Sequence, residues 1–292
     1  MIKNPYHLLA HSFRNLVVEG KTLPFGEIPR NQGLKSNQSE GQNVALILAP
    51  HPDDECLMGG LPLRLLREAN FKIVTLSVTL GSKVERRVER SNEMKKASEW
   101  IGFNLEILSK KGLEEVNPNA RKNNPAHWKL KVETMKEAIL RWKPTVLFFP
   151  HSRDWNQTHL GVNLLTMDTL LEMEDFSPFL IETEYWGQMR LPNLLVENST
   201  EEVGDLISAL SHHQGELERN PYHLSMPAWM QDNVRRGAEL VGGQGNEAPD
   251  FEFASLYRVS RWISGKRIAP WRGGKFLPSG EIKSEDLFKK SI

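Results

Sequence analysis

One histidine and three carboxylates, His51, Asp53, Asp54 and Glu55, fall within five residues of LILAPHPDDECLMGG, between an apolar run and a glycine pair. An aspartate that caps the next helix would account for one of these charges. It would not account for three adjacent negative charges that repel one another at the end of a strand. A second polar cluster, PHSRDWNQTHLGVN at 150–163, adds His151, Asp154, Asn156 and His159. Two histidines with one carboxylate form a metal site of the catalytic type, in which water keeps one coordination position. The chemistry then needs a further, unligated carboxylate to take a proton from that water, and HPDDE offers both within two residues.

Positioning the two clusters together requires a particular set of elements. NVALILAP reads as a strand buried on both faces, and GGLPLRLLREAN as a helix with leucines at helical spacing. KIVTLSVT is a second strand, Val84 to Trp100 an amphipathic helix, NLEIL a short third strand, His127 to Trp142 a helix and PTVLFFP a fourth strand. A helix starting near His159 follows. The alternation predicts an α/β fold: a Rossmann-like open, mostly parallel sheet with helices on both faces, plus an irregular C-terminal cap. Ligands of such sheets bind beyond the carboxyl ends of the strands, where both clusters lie. If the first and fourth strands run side by side, His51, Asp54 and a histidine of the second cluster meet.

APHPDDE resembles the signature of the zinc-dependent N-acetylglucosaminyl deacetylase family, which includes the phosphatidylinositol-glycan deacetylase and the mycothiol and bacillithiol deacetylases. The resemblance implies His51 and Asp54 as zinc ligands and Asp53 as general base. It places the third ligand at His159, where DWNQTHLG is similar to the family's H-x-D-H-like motif. RSNEMKKASEWIG is similar to a further family segment and implies that Arg90 reaches the substrate sugar. ALSHH followed by Gln214 is weakly similar to another and implies His213 near the pocket. The likeness spans roughly 43–215. The family usually has a histidine where this chain has Asn156, whose amide can donate to an oxyanion but cannot act as an acid. Protonation of the leaving amine then falls to Asp53, His151 or His213. Zn2+ is the cofactor implied, with Fe2+ as another divalent candidate, and the implied substrate is a small N-acetyl sugar conjugate.

Other features bound the function. With 292 residues, 39% of them apolar, the chain can bury a sizeable core, and 37 basic against 37 acidic residues leave no net charge to attract nucleic acid. The lone Cys56 cannot form an internal disulfide and reads as a small buried residue; no run is long and apolar enough to span a membrane, so a cytoplasmic protein is expected. The expected organisation is an N-terminal arm at 1–42, a catalytic core at 43–215, and a cap and tail at 216–292 packed on the same domain. Homo-oligomerisation is left open. A nucleotide-binding protein is disfavoured, because carboxylates replace the glycine-rich phosphate cradle after the first strand. A catalytically silent, metal-dependent sugar binder or regulator is the remaining alternative, motivated by Asn156.

Overall fold

The computed structural model describes residues 4–26, 28–29, 41–280 and 287–288. Of the expected N-terminal arm, 30–40 lies outside the described residues, as does much of the tail after 280. The described part of the arm holds a helix the sequence reading did not anticipate, α1 (Pro5–Gly20), started by the Asn4 cap and Pro5, with none of its residues buried.

The chain then continues through β1 (Val44–Ala49), α2 (Asp54–Leu57), α3 (Leu61–Glu68), β2 (Lys72–Ser77), a 3₁₀ turn (Val84–Arg86), α4 (Arg87–Ile101) and β3 (Asn104–Ile107). Next come α5 (Pro118–Asn123), α6 (Pro125–Trp142), β4 (Val146–Pro150), α7 (Gln157–Leu171), β5 (Phe179–Thr183) and β6 (Leu194–Asn198). The remaining elements are α8 (Thr200–Leu210), α9 (Gln214–Leu217), α10 (Tyr222–Gly242), β7 (Phe253–Ile263), β8 (Lys266–Ile268) and β9 (Lys275–Leu277).

The described strands form one open, mixed and mostly parallel sheet in the order β3-β2-β1-β4-β5-β7-β6-β9, with β8 paired to β7. β1 lies between β2 and β4, parallel to both, in register Ala45↔Val146 on the β4 side. The strand order reverses there, so the ends of β1 and β4 flank the crevice where ligands of doubly wound sheets bind. Because side chains alternate along β1, Ala45, Ile47 and Ala49 join the core under α3, α4 and α8, while Leu46 and Leu48 join the core under α6 and α7. Each fully buried leucine or isoleucine in these layers contributes about 1.5–3 kcal/mol.

The segment read from sequence as an irregular cap is more regular than expected. It supplies the long helix α10 and the strand β7, which is antiparallel to β5 and to β6 and sits between them. The Tyr257 hydroxyl accepts from Leu61 N at 3.2 Å and the Ser255 hydroxyl from Gly60 N at 3.3 Å, so β7 supports the turn behind HPDDE. The glycine pair of that turn is thereby explained: Gly59 has φ +94°, and a Cβ on it would stand 2.3 Å from Ser255 Oγ.

Candidate active site

The two strand ends are tied down before the site begins. Thr79 Oγ1 donates to Pro50 O at 2.7 Å beyond β1, and Asn163 Nδ2 donates to Pro150 O at 2.8 Å at the end of β4. From these fixed points the chain turns into HPDDE on one side and into α7 on the other. Gly161 lets α7 approach the 116–117 loop closely, since a Cβ there would meet Val116 O at 2.2 Å.

His51, Asp54 and His159 converge, with one ligand-type atom from each lying within 4.8 Å of the others. Asp54 Oδ2 is 3.3 Å from His51 Nδ1 and 3.3 Å from His159 Nε2, and it also accepts the backbone N–H of His51 at 2.9 Å. Atoms bound to one tetrahedral ion at about 2.0–2.1 Å stand about 3.3–3.4 Å apart, so the spacing fits a shared cation. His159 supplies the second test. It is fully buried, and neither ring nitrogen has a hydrogen-bond partner of acceptable geometry. Such a group is costly unless something else satisfies it. Nδ1 lies 3.4 Å from Asp154 Oδ2, the carboxylate–histidine arrangement that orients a metal ligand from behind. Asp154 is itself held by Asn156 N at 2.9 Å and Trp186 N at 3.3 Å, and the Tyr185 ring packs edge-on against His159. The His-Asp-His group could hold a metal ion.

The electrostatics follow from this packing. Burial alone would raise the Asp54 carboxyl, but the charge and close approach of His159, and the approach of His51, hold it well below the ordinary carboxylate range. Burial opposes protonation of His159, yet Asp54 and Asp154 push it up to about 10. Burial lowers His51, only partly offset by Asp54. Asp53 goes the other way: burial and the neighbouring Asp54 charge raise it well above a normal aspartate, against the pull of Arg90.

Asp53 occupies the cap position of α2 without making a side-chain cap hydrogen bond, so its carboxylate is not spent on the helix. It lines a cavity of about 650 Å³ together with His51, Asp54, Arg90, Asn156 and Tyr222. Asn156 does cap its helix. Its Oδ1 accepts from Thr158 N at 2.9 Å and His159 N at 3.4 Å, which fixes the amide and leaves Nδ2 as the free donor on the cavity wall. Arg90 also lines the cavity, while its Nη2 donates to Pro52 O at 2.8 Å. Trp186 and Tyr222, with ring centroids 5.1 Å apart, form an aromatic wall.

Two histidines sit elsewhere. Both nitrogens of His151 are committed, one 2.7 Å from Gly187 O in the loop after β5 and the other accepting from Arg153 N at 3.2 Å in its own loop, so it ties two loops together beside the site. His213 is fully buried behind Glu55, 2.7 Å from Glu55 Oε1, and does not line the cavity. Sequence reasoning missed Glu216 and Arg219, which do line it. They lie in GELERN, whose spacing carries no signal of a site.

Comparison with known proteins adds three findings. Residues 46–170 match the family model PIG-L, GlcNAc-PI de-N-acetylase. No curated protein matches the sequence. Among solved structures, N,N'-diacetylchitobiose deacetylase from Pyrococcus horikoshii is 13% identical, with 88% of this chain and 93% of that one covered at a TM-score of 0.53. The conserved protein TT1542 from Thermus thermophilus is 19% identical, with 73% and 93% covered and a TM-score of 0.53. GalB, the 4-carboxy-2-hydroxymuconate hydratase of Pseudomonas putida, is 13% identical, with 75% and 96% covered and a TM-score of 0.54. At such identities the likeness is one of fold, and the hydratase shows that this fold serves more than one chemistry. The segment that carries both strand ends and the whole His-Asp-His group is also the segment, residues 46–170, that is similar to the PIG-L, GlcNAc-PI de-N-acetylase, family model.

Proposed function

We propose that the protein is a metal-dependent hydrolase that removes the N-acetyl group from an N-acetylglucosamine-type sugar or conjugate. The observation that carries this reading is the pairing of an unsatisfied buried His159, next to His51 and Asp54, with an Asp53 carboxylate that caps no helix and faces the cavity, 3.8 Å from Arg90. The family match and the deacetylase among the fold neighbours support it.

His51, Asp54 and His159 would hold the cation, with Zn2+ as first choice for two imidazoles and a carboxylate. When bound, such an ion supplies Lewis acidity that brings the pKa of a water to about 7. Asp53 accepts the proton of the attacking water; its raised proton affinity suits a base that must later give the proton back. Asn156 Nδ2 donates to the carbonyl oxygen as negative charge develops on it. Asp53 then returns its proton to the departing nitrogen as the C–N bond breaks, giving acetate and a free amine. That assignment removes the need for a second acid, consistent with His151 and His213 being committed elsewhere. Arg90 and the Trp186–Tyr222 wall are in place to bind the sugar.

The test is acetate release from a panel of N-acetylglucosamine conjugates by the metal-loaded protein, run beside Asp53→Ala. Release by the wild type, lost in the variant while metal content is kept, supports the reading. Metal binding with no acetate from any N-acyl sugar supports the silent binder instead.

A further inference from the structure

The Pro52–Asp53 peptide is held at both of its polar atoms. Its carbonyl accepts from Arg90 Nη2 at 2.8 Å, and its N–H donates to Glu55 Oε2 at 3.0 Å. Both grips trace back to one short segment. The second oxygen of Glu55 is 2.7 Å from Nε2 of His213, the residue that starts α9. Arg90 Nη2 is 3.8 Å from Glu216 Oε2 within α9, and Glu216 is fixed in turn by Arg219 at 2.6 Å and Asn220 at 3.0 Å. The segment is anchored on α4, since Gly215 N donates to Glu93 Oε1 at 3.0 Å.

This peptide needs holding. Asp53 has φ +119°, whereas the other described non-glycine residues with positive φ lie between +47° and +58°. Those values belong to the ordinary left-handed basin; Asp53 is well outside it. A residue in such a conformation persists only where its surroundings over-determine it. The rotation sets the direction in which Cβ leaves the backbone, and hence which way the carboxylate faces.

We infer that Glu55 and His213, with Glu216 acting through Arg90, are positioning residues: they clamp the Pro52–Asp53 peptide from α9 and so aim the Asp53 carboxylate into the cavity. Glu55 and His213 are both fully buried, and neither needs to touch substrate. The inference rests on the proposed role of Asp53 as base, but the clamp itself can be measured without turnover.

The test uses the full chain carrying His213→Leu, His213→Gln or Glu55→Gln. Hydrogen exchange followed by mass spectrometry reads the peptide covering 50–55, and steady-state kinetics are normalised to bound zinc. Exchange at 50–55 is expected to rise at least tenfold in His213→Leu and Glu55→Gln, with β1 and β4 unchanged. Displacing a catalytic group by about 1 Å costs about 10²-fold in rate, so kcat per zinc is expected to fall by that order with KM within about twofold. His213→Gln, which keeps a side-chain N–H donor, is expected to recover most of the loss. The double variant His213→Leu/Glu55→Gln is expected to be no slower than the slower single variant, because the pair acts as one unit. Unchanged exchange at 50–55, or wild-type kcat per zinc in both single variants, overturns the clamp. If either variant fails to fold, the other and His213→Gln still decide it. Increased exchange in the variants of a wild type that releases no acetate leaves the clamp standing and removes the deacetylase reading.

Discussion

Metal binding by this protein is expected to release a proton and to tighten with rising pH. His159 sits between two carboxylates, 3.3 Å from Asp54 and 3.4 Å from Asp154, and although burial disfavours its charge, they hold the imidazolium up to about 10. A cation that takes Nε2 must displace that proton. At pH 7 displacing it from a group held up to about 10 costs about 4 kcal/mol, at about 1.4 kcal/mol per pH unit. The apparent zinc affinity is therefore expected to rise about tenfold per pH unit between about 7 and 9 and to level off near 10. The metal-free protein responds with the opposite sign. Because its folded pKa is raised above 6.5, protonated His159 contributes its full stabilisation below 6.5, and that contribution is lost as pH rises through about 10. Calorimetric zinc titrations, with a competing chelator and buffers of different ionisation enthalpy, count the protons released. An Asp53→Ala background removes the neighbouring carboxyl whose proton affinity burial raises. Asp154→Asn is expected to weaken zinc about 10–100-fold and to narrow the pH window. Zero protons released at pH 7, or an affinity flat from pH 7 to 9, would refute the arrangement of His159 as a displaceable imidazolium.

Three further outcomes are expected. Asn156→Asp keeps an oxygen for the α7 cap but loses the amide donor, so Tm is expected to hold while kcat falls by about 10²–10³; an unchanged kcat would remove Asn156 from the chemistry. Gly161→Ala drives a methyl toward Val116 O, 2.2 Å from where it would stand, and is expected to cost about 1–3 kcal/mol in denaturant unfolding and to weaken zinc binding. Cys56 is fully buried, and its burial together with Glu55 pushes the thiol well up, so the native protein is expected to resist a neutral-pH thiol reagent that labels the urea-unfolded chain.

Much of this was legible in the sequence because it depended on local pattern. The continuous apolar runs of β1, β2 and β4 identify strands buried on both faces, and their alternation with amphipathic stretches fixes a parallel sheet. The pairing of β1 with β4 required only that strand order reverse between them. What escaped depended on distant partners. β7 carries Ser255, Arg258 and Ser260 among its apolar residues, and only its insertion between β5 and β6 explains where they go. Helix α1 was missed because GEIPRNQG and its neighbours dominate the composition of the first forty residues, though Asn4-Pro5 is an ordinary helix start. The role of α9 was unreadable for a related reason: His213 reaches a carboxylate 158 residues earlier in the chain, and no spacing within ALSHHQGELE announces it.

The placement of β7 also bears on how the molecule is made. His51, Asp54 and His159 are all synthesised before β6, so a nascent chain owns the whole His-Asp-His group early. The support behind them comes last, because Tyr257 and Ser255 brace the turn at Gly60 and Leu61 only once β7 has threaded between two strands already synthesised. Until then β5 and β6 each present an open edge, the kind of surface on which partly made chains pair with one another. Synthesis therefore passes through an interval in which the chain owns the His-Asp-His group but not yet the brace behind its turn, and slow elongation between residues 198 and 263 is the condition under which that interval lengthens.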